Sequence, residues 1–128
     1  MDLYICTWKR IDATGQTVGG NSFYLGLDFL EIRPGDSAIE TEGPCRWTRA
    51  PATAVSVPQN GDATFRVGVE IQPGWYRTSY GSCRWSILNS LDGSPDSVTD
   101  SMLSDGPQLV EILPSDVAFE SRHCDRQR

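Results

Sequence analysis

Residues 69–74 read Val-Glu-Ile-Gln-Pro-Gly and lead to Cys-Arg-Trp at residues 83–85. Two further stretches share the order of x-Glu-Ile, a proline turn and a cysteine: residues 30–35 leading to Cys-Arg-Trp at 45–47, and residues 110–115 leading to Cys124. A phrase that returns about every 40 residues is typical of stacked or symmetric structural units. The sequence therefore predicts a single domain over residues 1–128, built from three repeats at approximately 6–44, 45–82 and 83–124.

The apolar pattern around these phrases predicts short strands. Residues 63–71 alternate, with Phe65, Val67, Val69 and Ile71 on one face, as in a half-buried strand. Further strands are predicted at residues 23–32, 54–57, 76–80, 84–88, 109–113 and 117–121, and a helical turn at 98–103 within the loop 89–106. Regularly spaced short strands with Gly and Pro turns predict an all-β fold, an antiparallel β-sandwich or small barrel. Three copies leave a β-trefoil or prism-like fold open.

Composition excludes several classes of partner. The net charge of −6 disfavours nonspecific nucleic-acid binding, which needs a basic surface. No apolar run approaches the roughly 20 residues of a membrane-spanning helix, so no membrane partner is expected. The N-terminal residues lack the basic start and apolar stretch of a signal peptide, which indicates a chain that is either made and kept in the cytoplasm or a mature fragment with Met1 added. No phosphate-binding or dinucleotide motif is present, and no cofactor is expected.

Cys6, Cys45, Cys83 and Cys124 all occupy the same phase of the repeat. None belongs to a Cys-x-x-Cys pair, which disfavours a zinc site. Bridges between neighbouring repeat equivalents, Cys6–Cys45 and Cys83–Cys124, would each close a loop of about 40 residues and contribute roughly 4 kcal/mol in the chain-entropy model. Four buried free thiols are the alternative.

Three tryptophans, Trp8, Trp47 and Trp85, follow a cysteine by two residues and should share its face of a strand. Because they track the repeat, core packing is favoured over an aromatic sugar-binding platform. Trp75 breaks the pattern. Together with Tyr76 and Tyr80, it is the predicted partner-binding surface, since interfaces are enriched in Trp and Tyr.

Residues 63–124 resemble a small β-domain found in secreted actinobacterial lipoproteins and in actinobacteriophage virion proteins. The matching motifs of that domain are V-G-x-D-I-x-P-G-x-Y-R, C-x-W and A-F-x-S-x-x-C, found here at residues 67–77, 83–85 and 118–124. The chain departs from the family at Glu70, where Asp is usual, and at Arg126, where an aromatic residue is common. The resemblance implies a Cys83–Cys124 disulfide and no catalytic residues.

Without a signal peptide or lipobox cysteine, the resemblance favours the virion context. The expected function is a non-enzymatic capsid decoration protein that binds capsid or tail subunits and stabilises the assembled shell, with a homo-oligomer as a further expected form. The expected location is the virion, after synthesis in the host cytoplasm. Alternatives are a small tail protein, or an extracellular module that binds a cell-envelope glycan or protein. An enzyme would need a pocket that brings His123 near a serine or aspartate.

The disulfide prediction is checked by intact mass. Each bridge gains two hydrogens on reduction, so two bridges predict a shift of about 4 Da. An unchanged mass would refute both bridges.

Overall fold

The protein is described from a computed structural model over residues 4–57, 61–77, 83–104 and 106–122. Within these ranges the chain forms nine strands and one short 3-10 helix, Pro95–Ser97. The strands are β1 (Ile5–Asp12), β2 (Thr17–Tyr24), β3 (Asp36–Glu42), β4 (Ala63–Arg66), β5 (Gly74–Arg77), β6 (Cys83–Leu88), β7 (Val98–Ser104), β8 (Leu109–Ile112) and β9 (Ala118–Arg122). None of the described helical residues forms a segment long and apolar enough to cross a membrane.

The strands pair into three antiparallel sheets, which confirms the all-β antiparallel fold class. Sheet 1 has the order β2-β1-β3, sheet 2 has β4-β9-β6-β7, and sheet 3 is the pair β5-β8. Over the described residues these sheets do not close into a barrel. The three sheets contain three, four and two strands, and this unequal division gives no support to the β-trefoil or prism-like alternative.

The predicted strand 63–71 is only half correct, because it ends at Arg66. Gly68 has a φ of +84°, and the Glu70 carboxylate accepts the backbone N–H of Arg66 at 3.0 Å. These contacts close a tight turn over residues that alternate as a strand would. The bent chain brings Val67 and Ile71 together in an isolated bridge.

The predicted strand 23–32 is wrong beyond Tyr24, where β2 ends and the chain becomes irregular. A Cβ at Gly26 would lie 1.6 Å from the carbonyl oxygen of Asp62, so only glycine allows this close crossing. Leu27 and Asp62 share a backbone hydrogen bond of 3.2 Å there. The crossing joins the end of β2 to the start of β4 and so couples sheets 1 and 2.

Two further local predictions are corrected. Residues 98–103 form no helical turn, because they belong to β7 and pair with β6. Residues 54–57 form no hairpin strand. The β7 segment has few apolar residues, and only its pairing with the buried strand β6 makes it extended.

The internal repeat is not confirmed. The three x-Glu-Ile copies adopt different conformations: residues 30–32 are irregular, residues 69–71 form a turn that ends in a bridge, and residues 110–112 lie in strand β8. The Cys-x-Trp copies also differ, since residues 6–8 lie in β1 and residues 45–47 are irregular. Similar short sequences are therefore shaped by their different tertiary contacts.

The apolar core lies in the second half of the chain. Its buried members are Trp85, Ile87, Val110, Ile112 and Phe119, and the rings of Trp85 and Phe119 stack with centroids 6.2 Å apart. Sheet 1 buries Cys6, Trp8 and Arg10 on alternate positions of β1. The described residues of the first half form no comparable apolar cluster, so polar contacts take a larger part in attaching sheet 1.

The central polar contact is the Asp28 carboxylate. Oδ2 accepts hydrogen bonds from Trp8 Nε1 and Asn21 Nδ2, both at 2.9 Å. Oδ1 accepts from Thr64 Oγ1 at 2.8 Å and from the Phe29 backbone N–H at 2.9 Å. One side chain therefore ties β1 and β2 of sheet 1 to β4 of sheet 2.

Asn21 extends this link to β9. Its Nδ2 also donates to Glu120 Oε2 at 2.9 Å, and its Oδ1 accepts from Arg122. Arg122 forms ion pairs with Asp62 at 3.7 Å and with Glu120 at 3.3 Å. The two sheets are thus joined by a continuous polar network.

We expect the Asp28→Asn substitution to lower the free energy of unfolding by about 2 kcal/mol, because the new amide nitrogen would face two donors. Urea denaturation of the two proteins measures this loss. Asp100→Asn, at an exposed site on β7, is the matched control and should leave stability unchanged. Equal stability of Asp28→Asn and the wild type would contradict the proposed importance of the network.

Candidate ligand pocket

A cavity of about 1000 Å³ lies against the inner face of sheet 1. Its floor is formed by Cys6, Phe23, Ile39 and Thr41. The register places Cys6 opposite Phe23, while Ile39 and Thr41 lie opposite Arg10 and Trp8. All four floor residues therefore lie on the face of sheet 1 that carries the buried residues of β1. This cavity occupies the position at which a second sheet would cover the first half of a sandwich.

One wall of the cavity is the irregular segment that follows β2. Its apolar members are Leu27, Phe29, Leu30 and Ile32. Phe29 is 8% exposed and Ile32 is 67% exposed, so the wall runs from the interior to the surface. The cavity is consequently open to solvent along one side.

The roof is an irregular segment, residues 45–57, which we call the strap. Trp47, Ala50, Pro51 and Val55 give it an apolar underside. The strap spans the space between β3 and β4 without joining a sheet. Its position therefore depends on contacts with other parts of the chain.

A disulfide fixes the first end of the strap. Cys45 is bridged to Cys6 of β1, with the two Cα atoms 5.2 Å apart, as the repeat pairing predicted. The second predicted bridge, Cys83–Cys124, stays a prediction, because Cys124 lies outside the described residues.

An ion pair holds the second half of the strap. Arg66 donates to both Glu70 oxygens, from Nε at 2.8 Å and Nη2 at 2.6 Å. Arg66 also donates to the backbone carbonyls of Pro51 at 2.7 Å and Thr53 at 3.2 Å, and Glu70 accepts the Val55 N–H at 3.0 Å. The pair therefore binds the strap backbone at three points.

The Glu70 side chain is fully buried, whereas that of Arg66 is 15% exposed. Burial raises the pKa of Glu70, but the hydrogen bonds from Arg66 and Val55 outweigh it and bring the pKa below its ordinary value of 4.5. The Arg66 guanidinium also lies 4.4 Å from the centre of the Phe29 ring, a cation–π contact at the pocket wall. Strap, ion pair and wall form one connected unit.

Two arginines of the strap, Arg46 and Arg49, line the cavity and are exposed. Within the described ranges, neither forms an ion pair with a carboxylate. The lining also includes Asp28, whose oxygens already accept four hydrogen bonds. The charge available to a ligand in this pocket is therefore positive.

A smaller cleft of about 230 Å³ lies on the other side of Asp28. It includes Glu120, Ser90, Ser94 and Ser97. Burial raises the pKa of the Asp28 carboxyl. However, Asp28 and Glu120 both bind Asn21, and Ser97 Oγ donates to the Ser94 carbonyl at 2.6 Å. The polar groups of this cleft are therefore already bonded to one another or to the backbone.

An enzyme was expected to need His123 in a pocket, and His123 lies outside the described residues. No three His, Cys, Asp or Glu side chains of the described ranges are grouped to hold a metal ion.

The predicted core role of the tryptophans is correct for two of three. Trp8 is 1% exposed and Trp85 is 4% exposed, but Trp47 is 41% exposed and lines the pocket. The core prediction for Trp47 is wrong, because its segment forms no strand and the Cys-x-Trp spacing fixes a common face only within a strand.

Two of the three residues of the predicted partner-binding surface lie on opposite faces of sheet 3. Trp75 is 65% exposed beside Glu111 on the outer face of sheet 3. Tyr76 pairs with buried Val110 on the opposite face and donates to the Gln72 carbonyl at 2.6 Å. Tyr80 lies outside the described residues. Trp75 therefore stays a candidate contact residue, without Tyr76 beside it.

The pocket was missed by the sequence analysis. One signal for it was available: residues 25–32 contain five apolar residues in a segment that follows no single strand period. A second was the pairing of a Cys-x-Trp with two arginines at 46 and 49 in a stretch without strand alternation. Both stretches line the cavity.

The comparisons with known proteins concern mainly the second half of the chain. Residues 56–127 match the Rv1352-like extracellular domain. The chain belongs to this family. The uncharacterized proteins Rv1352 of Mycobacterium tuberculosis and Mb1387 of Mycobacterium bovis are each 32% identical to it in a 79-residue alignment that covers 50% of this chain. The match spans 64% of the length of each relative. No solved structure matches.

The family match and the pocket overlap little. The matched region begins at Ser56 and contains sheets 2 and 3, including the Arg66–Glu70 pair. Nearly all of the pocket lining comes from residues 6–55. In this chain, the Rv1352-like region therefore carries the apolar core, and the preceding residues supply the cavity.

We expect Glu70→Gln to lower the free energy of unfolding by about 2–3 kcal/mol at neutral pH, because a buried ion pair is broken. The folded-state pKa of Glu70 is lowered, so its contribution is present above pH 4.5 and is lost as the pH falls through the folded-state value. The stability gap between variant and wild type should therefore narrow in acid.

Urea denaturation at a series of pH values measures that gap. The control is Glu111→Gln, at an exposed site on β8, which should match the wild type at every pH. A gap for Glu70→Gln that stays constant down to strongly acid pH would show that Glu70 is not stabilised as an anion.

Proposed function

We propose that this protein is a non-enzymatic, extracellular binding module of the actinobacterial cell envelope. The observation that carries the proposal is the solvent-open apolar cavity of about 1000 Å³ beneath the strap. Its volume falls at the upper end of the range for small-molecule sites, which are concave and mainly apolar. The ligand we propose is an apolar component of the envelope.

The family supports the location. Its description is an extracellular domain, and the relatives are mycobacterial proteins. A disulfide at the pocket agrees with this, because disulfides persist in oxidising compartments. The virion interpretation draws no support from these relatives, and among the sequence-based alternatives they favour the extracellular binding module.

The pocket favours an apolar ligand over a glycan. Sugars are bound through many hydrogen bonds, and the floor and wall side chains are aromatic or aliphatic apart from Cys6, Thr41 and the already bonded Asp28. Trp75, the exposed aromatic residue on sheet 3, lies outside this lining. A protein contact at Trp75 is compatible with ligand binding at the strap.

Binding of the neutral fluorescent dye N-phenyl-1-naphthylamine tests the pocket. We expect saturable binding with one site per chain. Thr41→Phe should weaken it at least tenfold, because the ring would fill the cavity floor. The matched control Ala38→Phe places the same ring on the outer face of β3 and should bind like the wild type.

Loss of binding in both variants, or in neither, would contradict the pocket assignment.

A sedimentation assay distinguishes a location in the cell envelope from a location in the virion. The protein should co-sediment with mycobacterial envelope fractions and not with purified actinobacteriophage particles, and the reverse result would overturn the extracellular proposal in favour of the virion function.

A further inference from the structure

The chemistry of the pocket lining narrows the class of ligand. The side chains that line the cavity from sheet 1 and the wall are mainly aromatic or aliphatic, apart from Cys6, Thr41 and the already bonded Asp28, whereas the exposed part of the lining includes two guanidinium groups. A ligand that matches both parts has a hydrocarbon portion and an anionic end. This reasoning rests on the proposed function and extends it.

The hydrocarbon portion is matched by the floor and wall. Phe23, Leu27, Leu30 and Ile39 are only half-buried, although each contributes to the inner lining. Covering them with an alkyl chain would remove apolar surface from water, which is favourable in proportion to the area covered. The disulfide at Cys6 lies at the same floor and adds no charge.

The anionic end is matched by the strap. Arg46 and Arg49 are three residues apart, exposed, and without a carboxylate partner among the described residues. Guanidinium groups bind carboxylates through paired N–H donors. The chain carries a net charge of −6, so two cations without a carboxylate partner in the lining of one apolar cavity are unlike the surface as a whole.

We infer that the strap pocket binds a long-chain fatty-acyl carboxylate, with the carboxylate at Arg46 and Arg49 and the alkyl chain between the strap and sheet 1. The strap, fixed by the Cys6–Cys45 disulfide and the Arg66–Glu70 pair, contributes both arginines to the lining of the cavity that the apolar floor also lines. A glycan, a nucleotide or a short organic acid lacks the alkyl portion that the floor requires.

Titration calorimetry with monomeric ligands tests the inference. Palmitate should bind with one site per chain, and each methylene removed, through myristate to laurate, should weaken binding by up to roughly fourfold. Hexadecanol, with the same chain and no charge, should bind about tenfold more weakly than palmitate, and added salt should reduce that difference.

The arginine variants assign the charged end. Arg46→Gln with Arg49→Gln should weaken palmitate about tenfold and leave hexadecanol unchanged. Arg77→Gln, an exposed arginine on β5 outside the pocket, is the matched control and should leave both affinities unchanged.

The outcomes separate the two proposals. Equal affinities for palmitate and hexadecanol, or an arginine variant that binds palmitate like the wild type, would overturn the fatty-acyl anion while the neutral dye still reports an apolar pocket. Failure of the dye and of both lipids to bind would overturn the proposed function itself. Binding of palmitate with no dependence on chain length would assign a simple anion site and would also overturn the inference.

Discussion

The Asp28 carboxylate is the contact on which the arrangement of the two larger sheets depends. It accepts hydrogen bonds from Trp8, Asn21 and Thr64, which lie on three strands of two sheets. A buried carboxylate is unfavourable without partners, and here every partner is a donor. The burial that raises its pKa also makes each of those donors necessary. The network replaces, in the first half of the chain, the apolar cluster that stabilises the second half.

The same arrangement leaves the pocket. Sheet 1 is attached through polar contacts near Asn21 and Asp28, so the apolar face around Phe23 and Ile39 is not packed against another sheet. The strap covers this face without filling the space. Its two attachments differ in kind, a covalent bridge at Cys45 and an ion pair that binds the backbone of residues 51–55. A rigid frame around an unfilled apolar space is well suited to binding a ligand.

Local sequence predicted strands at 84–88, 109–113 and 117–121, where the structure has β6, β8 and β9. The predicted strands did not include β1 or β3, although the two faces of β1 differ in burial. The strand prediction failed at Val67–Ile71, although these residues alternate as a strand would. There the Glu70 carboxylate accepts the Arg66 backbone N–H and the chain turns, a contact that strand periodicity does not encode. Local sequence failed again at Trp47, because a shared Cys-x-Trp spacing carries no information about whether its segment joins a sheet. The pocket depends on three separated segments and was not predicted.

The sequence by itself determined the all-β antiparallel class, because alternation and Gly and Pro turns are typical of short strands, and the spacing of like cysteines paired Cys6 with Cys45. Trp8 and Trp85 are buried as predicted, but the shared Cys-x-Trp spacing did not decide this, since Trp47 has the same spacing and is exposed. Tertiary structure alone decided that the x-Glu-Ile copies take different conformations, that Asp28 joins two sheets, and that residues 45–57 form a strap over a cavity. Each of these depends on contacts between residues far apart in the chain, and short-range patterns do not encode how much space remains between the elements they specify.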